Sequence, residues 1–173
     1  GSEAVTVTDS SVSASDLNTL NGNTSYNITV NATAISGSLS AVSTLYGNKA
    51  ADSQAATNGF TGLGGEAITL SDTGSIAANT LLTVAQANSS GTVDASNAGT
   101  ITGTAQQITD AYADSTITEA GNVALTVNSG TATLAQARSL DGLTTGVVTA
   151  TIADTVVSDL LGSAPLLDAN SNN

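Results

Sequence analysis

Six short triplets in which a polar or acidic residue separates two apolar ones punctuate the chain: Val5-Thr6-Val7, Ile28-Thr29-Val30, Ile68-Thr69-Leu70, Val93-Asp94-Ala95, Leu125-Thr126-Val127 and Val148-Thr149-Ala150. Alternation with a period of two predicts a strand with one buried and one solvated face. A few small polar residues follow each triplet, and then the spacing changes to that of a helix. In the odd units the apolar positions are Val12, Leu17, Leu20, then Ile76, Leu81, Val84, then Ala132, Ala137, Leu140. The even units carry Ile35, Leu39, Val42, Tyr46, matched by Ile101, Ala105, Ile108, Tyr112, and the third keeps Ile152, Val156 and Leu160. Steps of three to five place such residues on one face of a short amphipathic helix.

Helix starts are marked by Ser13, Ser38, Thr104 and Thr133, whose side-chain oxygens can accept from free backbone amides. Thr104 with Gln107, and Thr133 with Gln136, also fit the reciprocal capping box. Each unit therefore reads as strand, tight turn, short helix and return loop. Because odd and even units differ in spacing, the larger repeat is the pair.

The expected organisation is a tag or disordered start at 1–4, a first pair at 5–67 with an inserted loop at 47–66, and further pairs at 68–124 and 125–162. A tail at 163–173 turns at Pro165 and ends in Asn and Ser. Gly1-Ser2 reads as a cloning remnant, so the chain is expected to be a segment of something longer.

A unit of this size cannot bury its own apolar face, and self-similar units solve that by stacking. The fold class expected is α/β: a solenoid of about six strand-turn-short-helix coils in three two-coil repeats, with a parallel sheet on one face. Right-handed crossovers would make successive triplets neighbours. Six strands would then form one sheet about 25 to 30 Å long. Its outward column would run Thr6, Thr29, Thr69, Asp94, Thr126, Thr149.

Composition narrows the chemistry. Fourteen carboxylates stand against Lys49 and Arg138, a formal charge of −12, which repels phosphate backbones and anionic lipid heads. Nucleic acid is thus not an expected partner, and no apolar run is long enough to predict membrane insertion. Cysteine and histidine are both absent, which excludes disulfides, thiolate metal sites and the commonest general base. Paired carboxylates such as Asp110 with Asp114, or Asp154 with Asp159, read as solvated helix faces or ends, so no enzyme and no catalytic residue is expected.

Three phrases carry a resemblance: Gly62-Leu63-Gly64-Gly65-Glu66-Ala67-Ile68-Thr69-Leu70-Ser71-Asp72-Thr73-Gly74-Ser75, Gly91-Thr92-Val93-Asp94-Ala95-Ser96, and Ile101-Thr102-Gly103-Thr104-Ala105 leading to Asp110-Ala111-Tyr112-Ala113. With their weaker echoes they resemble the repeat regions of giant acidic surface or secreted proteins of marine bacteria, especially cyanobacteria, often classed as hemolysin-type or calcium-binding. The resemblance implies an extracellular or cell-surface module of an adhesin, filament or coat, with neighbouring repeats and surface glycans as partners. It carries over no catalytic residue.

No cofactor is expected from the residues themselves. Calcium is the one raised by the acidity and by the resemblance, but neither the EF-hand spacing nor the glycine-rich nonapeptide is present. Asp9, Asp72 and, in the third pair, Asn128 read as turn formers. The threonine column poses a choice between a solvated strand face and a hydroxyl array for glycan, mineral or ice. Its companion column, Thr8, Asn31, Ser71, Ser96, Asn128, Thr151, is irregular, which favours a structural spacer over a binding module. Phe60 and Tyr26 are expected to plug gaps under return loops, and Tyr46 and Tyr112 to join the core.

Overall fold

A computed structural model describes residues 4–49 and 59–153. Residues 1–3 of the start expected at 1–4, part of the inserted loop, Asp154, Val156, Asp159, Leu160 and the tail at 163–173 lie outside the described residues.

The described chain is a mixed α/β structure with parallel sheets and five helices. Its elements are β1 (Val5–Val7), β2 (Ser11–Ser13), α1 (Ala14–Gly22), β3 (Ile28–Val30), β4 (Ala34–Gly37) and α2 (Leu39–Gly47). Next come β5 (Phe60–Thr61), β6 (Ala67–Leu70), β7 (Ser75–Ala77), α3 (Ala78–Ala87), β8 (Thr92–Asp94), β9 (Thr100–Gly103) and α4 (Ala105–Ala113). The last are β10 (Ile117–Thr118), β11 (Ala124–Val127), α5 (Leu134–Asp141) and β12 (Val148–Thr149).

All six triplets contribute strands, but they do not share one sheet. Three parallel sheets form, ordered β1-β3-β5, β10-β8-β6-β4-β2 and β12-β11-β9-β7. Triplets pair only two by two, β1 with β3, β6 with β8 and β11 with β12. Between these twos the chain moves over by one sheet, so β6 pairs with β4 rather than β3, and β11 with β9 rather than β8.

The reason is a second strand in each stretch. Val12, Ile35, Ile76 and Ile101, expected to open helical stripes, lie on β2, β4, β7 and β9, and the helix starts only after them. A strand residue followed by a helix cap leaves a gap of four or five residues, which imitates helical spacing. The segments expected to be loops also carry strands: β5 ends the first sheet and β10 ends the second.

Caps at the helix starts are as the sequence predicts. Ser13 accepts from the Asp16 amide at 3.4 Å, Ser38 from Ala41 at 3.2 Å, and both capping boxes form. Ala77 begins α3 with no side-chain cap. The helices pack in chain order, α1 on α2, α2 on α3, α3 on α4 and α4 on α5.

One apolar cluster runs through the molecule between sheets and helices. Its spine is the aligned row Val12, Ile35, Ile68, Val93, Ile117 in the second sheet and Ile76, Ile101, Leu125, Val148 in the third. Each such side chain, when fully buried, contributes about 1.5–3 kcal/mol of transfer free energy. The third triplet residues Val30, Leu70 and Val127 also point inward, being buried. Phe60 is fully enclosed in β5, whereas Tyr26, expected to fill a gap, is 48% exposed.

Candidate functional site

The six residues of the expected outward column are separated by topology. Thr6 pairs with Thr29, Thr69 with Asp94, and Thr126 with Thr149, each two in a different sheet. The columns that exist are Thr6-Thr29-Thr61, then Ser13-Ser36-Thr69-Asp94-Thr118, then Ala77-Thr102-Thr126-Thr149. Part of this hydroxyl chemistry is turned back on the protein. Thr61 Oγ1 donates to Thr29 Oγ1 at 3.3 Å, and Thr102 Oγ1 donates to the Ile76 carbonyl at 3.2 Å. Asp94 accepts from the Ser96 amide at 2.9 Å, and hydrogen bonding from Ser96 holds its carboxyl below the usual range.

A polar cluster that sequence reasoning missed lies inside the molecule, between the end of α2, the start of β6 and the end of α3. Glu66 is 2% exposed and Asn88 is fully buried. Glu66 Oε2 accepts from Tyr46 Oη at 2.6 Å, from the Gly64 amide at 2.9 Å and from the Gly65 amide at 3.0 Å. Tyr46 Oη also lies 2.9 Å from Asn88 Oδ1; its single hydrogen favours the nearer oxygen, so the second contact is the minor arm of a bifurcated bond. Asn88 Nδ2 donates to the Glu66 carbonyl at 2.8 Å, and the Glu66 amide donates back to Asn88 Oδ1 at 3.3 Å. Burial, reinforced by the hydrogen bond and the charge of Glu66, drives the Tyr46 hydroxyl's pKa far up.

This arrangement is a bolt, since each side chain in it is engaged by another group of the cluster. Thr144 holds the matching place after α5, donating to the Val123 carbonyl at 2.6 Å. Val123 in turn stands before β11 as Glu66 stands before β6. A signal was present in the sequence: a tyrosine at the matching place of the first two even units, and a glutamate before the second odd-unit triplet where the third has valine.

No family model, curated protein or solved structure matches the chain.

Tyr112, the counterpart of Tyr46, meets a different environment. Its hydroxyl and Glu119 Oε1 are both shut off from solvent with no hydrogen-bond partner among the described residues. Burial pushes the Glu119 carboxyl up to about 7, opposed by its own backbone amide and assisted by the charge of Asp114. Burial, then the charge of Glu119, raises Tyr112 to about 12.

The remaining polar candidates also have structural partners. Asp72, expected to form a turn, reaches across to α2, where its Oδ2 accepts from the Leu39 amide at 2.6 Å. A carboxyl there complements the positive end of the helix dipole. It borders an open groove of about 360 Å³ lined with Ser40, Ser43, Thr44, Ser75 and Thr80. Lys49 Nζ donates to the Ala87 carbonyl at 3.1 Å, at the negative end of α3. Among the described residues no group of three or more carboxylates is gathered to hold a metal ion, and no helix is long and apolar enough to cross a membrane.

Proposed function

We propose that the chain is a non-enzymatic structural module of a large exported cell-surface protein, a spacer or stalk of an adhesin, filament or coat. Its fold in this reading is a solenoid of six coils in three two-coil repeats, each repeat displaced by one sheet from the one before. The observation that supports the reading is the order of contacts. Among the described residues each helix packs chiefly on its chain neighbours, and strands pair with those one coil away. A body built in this way transmits load from coil to coil and grows in length by adding copies. Its interior polar groups, Tyr46, Glu66 and Asn88, serve to bolt one coil to the next. The expected partners are neighbouring repeats of the same long chain.

Covalent arrays of one, two and three copies test this. Small-angle scattering should give a cross-section that stays constant while the length grows by equal increments. A flexible string of separate bodies would sink the spacer reading.

A binding module for glycan, mineral or ice is the second reading, favoured by the five-residue column Ser13-Ser36-Thr69-Asp94-Thr118 on the middle sheet. Replacing Thr29, Thr69 and Thr126 by Lys separates the two. Unchanged glycan adhesion and ice shaping would leave the binding reading without support.

A further inference from the structure

Twice within the molecule an even-unit strand is laid beside an odd-unit triplet by the same rule. Against β4, the Ala67 amide donates to the Thr33 carbonyl at 2.9 Å and the Ser71 amide to the Gly37 carbonyl at 2.9 Å. Against β9, the Ala124 amide donates to the Gly99 carbonyl at 3.1 Å and the Asn128 amide to the Gly103 carbonyl at 3.2 Å. The receiving strands read Ala-Ile-Thr-Leu and Ala-Leu-Thr-Val, and the incoming ones Ala-Ile-Ser-Gly and Thr-Ile-Thr-Gly, residue opposite residue.

Residues 4–7 repeat the receiving pattern as Ala-Val-Thr-Val, yet among the described residues β1 pairs with β3 alone. The Val7 carbonyl accepts from the Asn31 amide at 3.0 Å, on the β3 side. Successive residues of a parallel strand turn their backbone groups to opposite sides, so Thr6 directs its N–H and C=O to the open edge. Beside that edge lies an open groove of about 360 Å³, walled by Val7, Val12, Leu17 and Leu20 with Asp9 at its rim. Asp9 stands two residues after its triplet, as does Asp72, which caps the helix of the preceding even unit.

The complementary strand exists at the other end. The Ala132 amide donates to the Thr151 carbonyl and the Ala153 amide to the Ala132 carbonyl, both at 2.9 Å. Ile152 therefore turns its own N–H and C=O away from Ala132, toward the side on which Ile35 of β4 and Ile101 of β9 receive their partners.

We propose that the outer edge of β1 is a docking site for a second copy of this chain, which lays its strand at Ile152 parallel along β1, head to tail. The inference rests on the proposed repeat architecture and adds the partner, the edge and the register, with Ile152 opposite Val5. Such a contact is heterologous, so it extends into open filaments rather than closing as a dimer. Copies of charge −12 repel one another, and salt should therefore favour assembly.

Sedimentation of the full chain over a concentration series, in dilute buffer and in about 0.5 M NaCl, tests the proposal. The weight-average mass should climb past the dimer with concentration, more steeply in salt. Among the described residues neither the Thr6 nor the Ile152 N–H serves an internal ladder, and proline is tolerated on edge strands. Thr6→Pro and Ile152→Pro should therefore each abolish assembly, while their equimolar mixture should stop at dimers.

A monomer at every concentration overturns the proposal. So does a closed dimer lost in Thr6→Pro but kept in Ile152→Pro. Should either variant lose its native circular dichroism, amide exchange on the unaltered chain decides. The Thr6 amide should slow about tenfold or more between dilute and concentrated samples, and no slowing overturns the contact. A rod-like covalent array whose free copies ignore one another would defeat this docking alone and leave the spacer reading standing.

Discussion

Two tyrosines at matching places on α2 and α4 have opposite fates, and the difference lies in the segments that succeed the two helices. Tyr46 donates to a carboxyl that two glycine amides also serve, so nothing polar in that cluster is stranded. Tyr46→Phe should cost about 1–2 kcal/mol, seen as a lower denaturation midpoint with an unchanged slope. Beside Tyr112 lies Glu119, half-buried, with one oxygen lacking a partner. Its carboxyl moves from the ordinary 4.5 up to about 7 on folding. An acid with a raised folded pKa binds more protons folded than unfolded between these values, so its stabilising effect is complete below about 4.5 and is lost as pH rises through about 7. Glu119→Gln should remove that decline. The gain over the native chain at pH 8 should be on the order of 1 kcal/mol after discounting for solvent screening. Melting curves at pH 4, 6 and 8 check it, and an equal decline in the variant would assign the pH dependence to groups other than Glu119.

Elements meet through close backbone approach at the return loops. A Cβ on Gly91 would be driven into the Glu66 carbonyl oxygen and the Asn88 side chain, whereas one on Gly74 would meet nothing within 4 Å. Gly91→Ala should therefore cost about 2 kcal/mol or more through overpacking. Gly74→Ala should be neutral or stabilise by up to about 1 kcal/mol through the unfolded chain. Chemical denaturation of the two variants gives the comparison. Much at this scale was legible in the sequence. All six triplets became strands, and Ser13, Ser38, Thr104 and Thr133 became caps, because both signals are local and carry their own geometry. The second strands were not legible: each carries a single branched apolar residue, Val12, Ile35, Ile76 or Ile101, rather than two flanking a polar one, and such a residue followed by a helix fits helical spacing equally well. Glu66, Asn88 and the reach of Asp72 to α2 depend on pairing across 20 to 42 residues, which no local pattern encodes.

For the whole molecule, the decisive expectation concerns how stability is distributed. Val5, Val7, Val12 and Leu20, in β1, β2 and α1, are only partly buried, while Ile28, Val30 and Ile35, in β3 and β4, are enclosed. If contacts are confined to chain neighbours, a coil with one neighbour is held by one interface and an internal coil by two. Opening of β1, β2 and α1 should then cost well under the global unfolding free energy, whereas amides of β6, β8, β9 and α3 should exchange only through global unfolding. Native-state hydrogen exchange in dilute solution reads this directly. Uniform protection from β1 to β9 would mean a single cooperative body and would defeat the additive stack. A gradient that flattens at high concentration, beginning with Thr6, would show that a second copy at the β1 edge supplies the interface the first coil lacks.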